Sequence, residues 1–494
     1  MNALLKLYRT AIFISLIKLS FQQTFKLKYL ANHKLYDYKQ QQQQQQQYND
    51  DEPKCLDGTT PSYYIHRNNQ SFNWIIYFEG GAWCFNHKKC YQRSFTRLGS
   101  SKFNTNYLTT DKLYLNYSML SNNQSINPMT YDWNKVVVRY CDGTSWTSNN
   151  IIKYRDTYLY FKGQINRDIT IQQLLIIEGM IYAKEIILAG CSAGGLAIYY
   201  GIDAMKHIIH HIQSTIYNQS KALVIGLADS GFFPKNYSYM NQFQNIYHIA
   251  NMSSGINHYC LQYIQTRNYN NCNISNGYAC ENKSYTECLY AETLMKYIHT
   301  PIFTMQSKYD QWQITMLLQS TNSVLINEFS NTYLMNIIQT FSVLPSSSSS
   351  SVKMFGVYVD SCRHHCYSCY QLNYGKQNRF WIDGFDNETV VDFFDGNINP
   401  FYAFYLWYSQ LARSNYRSNL VSSDGYVNNA IDNHLDRIKN ISTPDRTTIL
   451  TNKIVDNYLQ QLHHINNYHW FIQNAYNPNQ CLCDYSILSH MTKS

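Results

Sequence analysis

Apolar and polar residues form two patterns along this chain: short continuous apolar runs, and longer segments with apolar residues at helical spacing. The helically spaced segments include residues 170–183 and 196–208, and they lie between apolar runs. Strands that alternate with helices in this way predict an α/β fold, with a mostly parallel central sheet flanked by helices. The apolar runs predict strands at residues 73–78, 135–139, 185–189, 222–228, 301–306 and 354–359.

The N-terminal segment differs in composition from the rest of the chain. Two basic residues precede the apolar run 11–17, which is the pattern of a secretory signal peptide, predicted here over residues 1–21. An N-terminal helix without a targeting role is the alternative. The glutamine run 40–47 makes residues 22–52 a predicted low-complexity spacer, so the folded catalytic domain is predicted to cover residues 53–494.

The cysteine content bears on the compartment. The chain has 14 cysteines, which favours an oxidising environment and therefore a secreted protein. A group of them at about residues 250–290 predicts a disulfide-stapled insertion beside the active site. Many Asn-x-Ser/Thr sites, Asn69 and Asn116 among them, fit a secreted glycoprotein but also arise by chance in an Asn-rich chain.

The charge and the length of the chain limit the classes of partner. The net charge of +8 is spread along the sequence without a block of Lys and Arg, so we expect no nucleic-acid partner. After the N-terminal run, no stretch is long and apolar enough to span a membrane. A length of 494 residues suits one large catalytic domain with insertions, or two domains; a monomer is expected.

A Gly-x-Ser-x-Gly motif at residues 190–194 lies between the predicted strand 185–189 and the predicted helix 196–208. In α/β-hydrolases this motif forms the nucleophile elbow, a sharp turn that lifts the serine hydroxyl above the carboxyl edge of the sheet. The motif therefore predicts Ser192 as a nucleophile. The backbone N–H of Ala193, at the start of the helix, is then placed to bind a developing oxyanion.

A second glycine motif follows the strand 73–78. Gly80 and Gly81 lie directly after this strand and upstream of the serine motif, which is the position of an oxyanion-hole loop in α/β-hydrolases. An ordinary glycine turn is the alternative. Cys84 and Cys90 enclose a five-residue loop just beyond, where a disulfide would brace the oxyanion loop.

The candidate acid and base follow the last two predicted strands. Asp310 comes just after strand 301–306, where the acid of a Ser–Asp–His chain order belongs, although an aspartate there could equally cap a helix. His364 and His365 follow strand 354–359, where the base is expected. Zinc binding by these two histidines and the neighbouring cysteines is the alternative.

Together these motifs resemble the pectin acetylesterase family, which includes plant pectin acetylesterases and the Wnt-inactivating carboxylesterase Notum. The resemblance covers about residues 53–415 and also includes a Cys-x-x-His block at residues 362–365. It implies an α/β-hydrolase-like fold. The blocks that carry it are residues 78–84, 140–146, 188–195 and 228–233.

The resemblance implies a role for each matching position. Ser192 becomes the nucleophile, Asp310 the acid and His365, rather than His364, the base. The implied oxyanion donors are the N–H groups of Gly81, Ala82 and Ala193, and the implied disulfides are Cys55–Cys141 and Cys84–Cys90.

The resemblance also implies a function. Ala82 and Trp83 follow the glycine pair where Notum has Trp-Tyr, so the loop is nearer to the plant-type pattern. We therefore expect a secreted serine carboxylesterase that needs no cofactor or metal and hydrolyses O-acyl esters, in the first place O-acetyl groups of a polysaccharide. The alternatives are a Notum-like deacylase that removes a fatty acyl group from protein, and an inactive relative that binds a glycan or lipid.

Overall fold

A large mixed sheet organises the part of the chain that the structure describes. This structure is a computed structural model, and it describes residues 24–31, 52–109, 119–124, 127, 129–235, 238–271, 285–342, 344, 355–360, 363–367, 403–404, 407–408, 411–412 and 469–472. Its strands are β1 (Thr24–Tyr29), β2 (Ser62–His66), β3 (Trp74–Phe78), β4 (Tyr107–Thr109), β5 (Asn134–Val138), β6 (Asn150–Tyr154), β7 (Thr157–Phe161), β8 (Glu185–Cys191), β9 (Leu223–Asp229), β10 (Ile302–Ser307), β11 (Phe355–Asp360) and β12 (His469–Ile472).

The helices lie between these strands, and two of them overlap the segments 170–183 and 196–208 in which the spacing of apolar residues predicts helices. They are α1 (His87–Ser94), α2 (Gly163–Ile176), α3 (Ala193–His211), α4 (Ser238–Ile249), α5 (His258–Asn271), α6 (Ala291–Leu294), α7 (Gln311–Gln313) and α8 (Ser323–Ser342). Short 3-10 segments occur at Ser101–Phe103, Met180–Tyr182, Met252–Ser254, Tyr285–Leu289 and Met295–Tyr297, and π segments at Ile212–Ile216 and Ile314–Leu318.

The strands of the main sheet are mostly parallel. Their order is β12-β11-β10-β9-β8-β3-β5-β2-β1-β4. Neighbours from β12 to β5 pair in parallel, and β2, β1 and β4 complete the sheet with antiparallel pairs. Strands β6 and β7 form a separate antiparallel hairpin. The prediction of an α/β-hydrolase-like fold is confirmed.

The register of the central strands decides where the site forms. Phe78 at the end of β3 lies opposite Gly190 near the end of β8, and Cys191 lies opposite Asp229 at the end of β9. Ser307 of β10 is likewise opposite Asp360 of β11. Because these strands are parallel, the loops that follow them all leave from the same edge of the sheet.

Both faces of the sheet are covered. In β8, Ile186 and Leu188 pack with the core that contains α2, α3 and α8, while Ile187 and Ala189 pack on the opposite face. That face is covered in part by helical residues 403–404, 407–408 and 411–412, and the Phe404 ring lies 5.5 Å from that of Phe303. Since both faces are buried, the strands read as continuous apolar runs rather than as alternating ones.

The predicted spacer was wrong at its N-terminal end. Residues 22–52 contain strand β1, which pairs with β2 over Lys26–Tyr29 and with β4 over Thr24–Lys26, so the sheet begins upstream of Pro53. The glutamine run and the predicted signal peptide, residues 1–21, lie outside the described residues.

The predicted stapled insertion is present where the structure describes it. Cys260 of α5 is bonded to Cys288, which confirms a disulfide within residues 250–290, while Cys272 and Cys280 lie outside the described residues. Within the part of the chain that the structure describes, no helix has the length and apolar character to cross a membrane.

Candidate active site

Ser192 occupies a strained turn between β8 and α3. Its φ of 57° and ψ of −120° lie outside the usual regions for a residue with a side chain, and it is followed at once by the first turn of α3. The turn depends on its glycines: a Cβ at Gly194 would lie 2.0 Å from the Phe78 carbonyl oxygen, and one at Gly190 would lie 2.3 Å from the Gly194 carbonyl oxygen. This is the strand–turn–helix context that a nucleophile elbow requires.

The glycine loop after β3 lies against this turn. A Cβ added to Gly80 would come within 3.1 Å of the Ser192 Cβ, so the two loops are in direct contact. Gly81 has a φ of 152° and Ala82 a φ of 53°, both in the region that favours glycine. The structure therefore brings the predicted oxyanion loop to the predicted nucleophile.

The conformation of this loop is fixed by side chains from two neighbouring segments, helix α1 and the loop after β5. The Arg93 guanidinium at the end of α1 donates to the Gly81 carbonyl oxygen at 2.7 Å. The Tyr140 hydroxyl donates to the Ala82 carbonyl oxygen at 2.9 Å, and the Trp83 indole N–H donates to the Ser145 hydroxyl at 2.8 Å.

Asp310 and His365 are paired at the same edge of the sheet. The His365 Nδ1–H lies 2.8 Å from Asp310 Oδ2 and 3.0 Å from Oδ1. The buried Asp310 carboxylate also accepts from the Gln306 side-chain amide and from the backbone N–H of Gln313, each at 2.9 Å. Asp310 is thus both the helix cap and the partner of the histidine, two interpretations that the sequence leaves open.

The second nitrogen of the His365 ring faces no acceptor or donor. Nε2 is buried and has no hydrogen-bond partner among the described residues. With Nδ1 held as a donor by the carboxylate, Nε2 carries the lone pair, which is the tautomer that a general base needs. The ring of Trp312 lies nearly parallel to the imidazole, 5.9 Å between centroids, and limits its rotation.

A disulfide between Cys191 and Cys366 joins two parts of the site. One is the turn at Ser192, here the serine turn, and the other is the described segment 363–367 after β11, here the histidine loop. These two cysteines are the immediate neighbours of Ser192 and His365, and their Cα atoms are 5.6 Å apart. The histidine loop is anchored further because the Cys366 N–H donates to the Ser230 hydroxyl at 2.8 Å. The serine turn and the histidine loop are therefore joined covalently through the direct neighbours of Ser192 and His365.

His364 has a different partner from His365. Its Nε2–H donates to the Asp360 carboxylate at 3.1 Å. Burial acts to lower the pKa of His364, but the charge and hydrogen bond of Asp360 outweigh it, and the pKa is raised above its ordinary value. Because the two imidazoles bind different carboxylates and Cys366 is oxidised, the geometry does not support the zinc alternative; the remaining cysteines of that alternative lie outside the described residues.

Aromatic rings form a wall beside the histidine. The Trp83 ring lies 4.8 Å from that of Phe233 and 5.7 Å from that of Trp312, and the rings of Phe233 and Trp312 are 5.4 Å apart. All three contacts are edge-to-face. Rings in mutual contact leave no room between them for a long chain. Of the three, the Trp312 ring is the one that lies against the imidazole of His365.

The two predicted disulfides, Cys55–Cys141 and Cys84–Cys90, are both present. The Cys191–Cys366 bond was not predicted. A signal for it exists in the sequence, since each predicted catalytic residue of the pair Ser192 and His365 has a cysteine as its direct neighbour. Reading that signal requires knowing that the two loops meet in space.

Comparisons with known proteins show which sequences this chain is similar to. The family described as pectinacetylesterase matches residues 35–404, a range that includes all the predicted catalytic residues. Pectin acetylesterase 5 of Arabidopsis thaliana is 28% identical over 360 residues, which cover 68% of this chain and 75% of the relative. Pectin acetylesterase 11 of the same plant is 31% identical over 277 residues, or 54% of this chain and 62% of the relative. Palmitoleoyl-protein carboxylesterase notum2 of Xenopus laevis is 32% identical over 270 residues, which cover 53% of this chain and 50% of the relative.

Proposed function

The chain belongs to the pectinacetylesterase family, and from this premise we propose that it is a secreted serine carboxylesterase that removes O-acetyl groups from a polysaccharide. One observation carries the proposal. The imidazole of His365 is bound to Asp310 through Nδ1 and is tied to the turn of Ser192 through the Cys191–Cys366 disulfide. These two connections support the proposed roles of Ser192 as nucleophile, His365 as base and Asp310 as acid in acyl transfer.

In the proposed mechanism, the Ser192 hydroxyl oxygen attacks the ester carbonyl carbon while His365 Nε2 accepts its proton. Asp310 stabilises the imidazolium through the Nδ1–H bond. The N–H groups of Gly81, Ala82 and Ala193 bind the oxyanion of the tetrahedral intermediate. The proton then passes from Nε2 to the departing sugar oxygen, which leaves an acyl-serine that a water molecule, activated by the same imidazole, hydrolyses.

The aromatic wall and the disulfides support the finer parts of the proposal. Trp83, Phe233 and Trp312 pack against one another beside the base, which suits a short acyl group such as acetyl. Four disulfides among the described residues fit an oxidising compartment and hence secretion. All three catalytic side chains come from one chain, so a monomer would suffice.

The experiment replaces Ser192 by alanine and compares the purified proteins. We expect the wild type to release acetate from acetylated pectin, to hydrolyse p-nitrophenyl acetate and to react covalently with a fluorophosphonate. Ser192→Ala should lose at least about 10⁴-fold in kcat and all labelling. A correctly folded wild type with no Ser192-dependent turnover or labelling would instead indicate an inactive binding protein.

Removal of a fatty acyl group from protein is the second candidate, and the similarity to palmitoleoyl-protein carboxylesterase notum2 is the observation that favours it. A series of p-nitrophenyl esters separates the two. If the wall bounds a short pocket, kcat/KM is highest for the acetate and falls steadily toward the octanoate and the decanoate. A maximum at a long acyl chain would instead support the deacylase.

A further inference from the structure

The histidine loop takes part in a second pair of imidazole and carboxylate, next to the pair of His365 and Asp310. The His364 Nε2–H donates to the two carboxylate oxygens of Asp360, at 3.1 and 3.2 Å. Only 4% of the His364 side chain and 6% of the Asp360 side chain are exposed. Both groups are thus held out of water, although the proposed mechanism uses neither of them.

Both members of this pair are attached to the segment that carries Asp310. Asp360 is the last residue of β11, and its carbonyl oxygen accepts from the N–H of Lys308, just after β10, at 2.8 Å. The carbonyl oxygen of His364 accepts from the N–H of Gln311, the residue that follows Asp310, at 3.0 Å. The pair therefore connects the end of the sheet, the histidine loop and the start of α7.

The two neighbouring imidazoles of the loop bind different carboxylates. His364 is bound to Asp360, and His365 is bound to Asp310 at 2.8 Å. The ring of Tyr367 packs edge-to-face on the His364 imidazole, with 4.2 Å between the ring centroids. Because a planar peptide group joins the two histidines, fixing His364 restricts the backbone from which the His365 imidazole extends.

The carboxylates around His364 favour its charged form. Burial alone lowers the pKa of His364, but the charge and hydrogen bond of Asp360 outweigh burial, and the charges of Asp229 and Asp310 act in the same direction, so the pKa is raised above its ordinary value. Tyr367, which contacts the same ring, is neutral at neutral pH because burial raises the pKa of its hydroxyl. The His364 imidazolium therefore balances the negative charge of Asp360 beside the base.

We propose that His364 and Asp360 form a positioning pair for the base, which holds the histidine loop so that the His365 imidazole meets Asp310 and keeps the charge beside that imidazole balanced. The inference rests on the proposed esterase function and adds two residues that act through His365. A buried ion pair contributes little net stability compared with apolar side chains of the same size, because both groups lose their hydration. A role in orienting the base accounts for the pair better than a role in stability.

The first measurement is steady-state kinetics on p-nitrophenyl acetate. His364→Ala removes the donor to Asp360 and should lower kcat about tenfold or more with little change in KM, because the orientation of the base matters in the transition state. Asp360→Ala should have the same effect. His364→Gln places an amide N–H near the position of Nε2 and should recover most of the loss.

The second measurement is the pH dependence of kcat/KM, which a purely structural role would not shift. His364→Gln leaves the charge of Asp360 unbalanced, and a negative charge near the base favours its protonated form. The acid limb of the profile should therefore move to higher pH by about 0.5 pH unit or more. The double variant His364→Gln with Asp360→Asn removes both charges and should return the limb to its wild-type position.

His299→Gln is the matched control. The His299 imidazole lies 3.8 Å from the carboxylate of Asp203, and its ring centroid lies 4.5 Å from that of Tyr259, so its surroundings resemble those of His364. It precedes β10 and therefore lies at the edge of the sheet opposite to the site. Its kcat and its acid limb should equal those of the wild type.

The outcomes separate this inference from the proposed function. Folded His364→Ala with the wild-type kcat overturns the positioning role. An acid limb that does not move in His364→Gln, or that moves equally in the double variant, overturns the charge balance. The Gln and Asn variants keep side chains of similar size, so the pH measurement decides even if the alanine variants do not fold. In each of these cases Ser192-dependent hydrolysis persists and the esterase stands, whereas its absence on every ester overturns the proposed function itself.

Discussion

Arg93 controls a single peptide group of the oxyanion loop. Its guanidinium donates at 2.7 Å to the carbonyl oxygen of Gly81, and at 3.1 Å to that of Leu98. A peptide group is planar and trans, so fixing the Gly81 carbonyl also fixes the direction of the Ala82 N–H on the other side of the same plane. Arg93 is therefore a positioning residue for a proposed oxyanion donor, although it has no role in the chemical steps.

Arg93→Met should lower kcat by about 10- to 100-fold and change KM much less, because the donor is needed in the transition state. Arg93→Lys, which can donate one of the two hydrogen bonds, should recover part of the loss. Steady-state kinetics on p-nitrophenyl acetate measure both. Arg67→Met is the control, because its guanidinium lies over the ring of Trp74 at the far end of β3. Equal kcat in Arg93→Met and wild type would contradict the argument.

The sequence allows the individual site residues to be predicted unequally well. Ser192 and Asp310 stand out because a nucleophile and its acid need particular residue types directly after strands, and strands are visible as apolar runs. The choice of His365 over His364 came only from the family resemblance. The structure shows the physical difference: the His364 imidazole is bound to Asp360, while that of His365 is bound to Asp310. Which histidine faces Asp310 depends on the path of the loop after β11, and the residues of that loop do not reveal its path.

The loop that carries His365, after the buried strand β11, is held by contacts with several neighbouring elements. The Tyr367 N–H donates to Asp229 at 3.1 Å, the backbone N–H of Gln311 donates to the His364 carbonyl oxygen at 3.0 Å, and Cys366 is bonded to Cys191. The loop after β11 is thus attached to the ends of β8 and β9 and to α7. Among these attachments only the disulfide reaches the serine turn itself.

Replacing Cys191 and Cys366 together by alanine should therefore lower kcat by about 10- to 100-fold in protein that is still folded, since His365 is no longer held against the serine turn. Fluorophosphonate labelling of Ser192 should slow in parallel. The double variant of Cys260 and Cys288, a disulfide in the insertion, is the control and should keep wild-type kcat. Circular dichroism checks the fold of each protein. If both double variants label at the wild-type rate, the disulfide does not position the base.

The strands that could be predicted from the sequence are those whose residues are deeply buried. Strands β3, β5 and β8 are buried along their whole length. Most of their residues are therefore apolar, and each strand can be recognised in the sequence as a continuous apolar run. Strand β1 was missed because only Phe25 is buried in it, so the apolar signal is almost absent. Its position is determined by pairing with β2 and β4 at the border of the sheet, which is a long-range effect.

At the scale of the whole molecule, the disulfides fall into two groups. Cys55–Cys141 and Cys191–Cys366 join residues that are 86 and 175 positions apart in the sequence. The sequence separation is only 6 residues for Cys84–Cys90 and 28 residues for Cys260–Cys288. A crosslink restricts the unfolded chain more when its loop is longer. The long-range pair should therefore dominate stability, while the shortest crosslink acts on the conformation of one loop.

This division predicts that two double variants lose stability to different extents. Cys55→Ala with Cys141→Ala should reduce the free energy of unfolding by about 4 to 5 kcal/mol, against about 2 kcal/mol for Cys84→Ala with Cys90→Ala. All four side chains are buried, so the loss of packing is similar and the difference reflects loop length. Denaturant unfolding measures both values.

The Cys84 and Cys90 variant should in addition lose kcat while still folded, because α1 is released from the oxyanion loop. Equal destabilisation of the two variants would show that loop length does not determine how these crosslinks stabilise the protein.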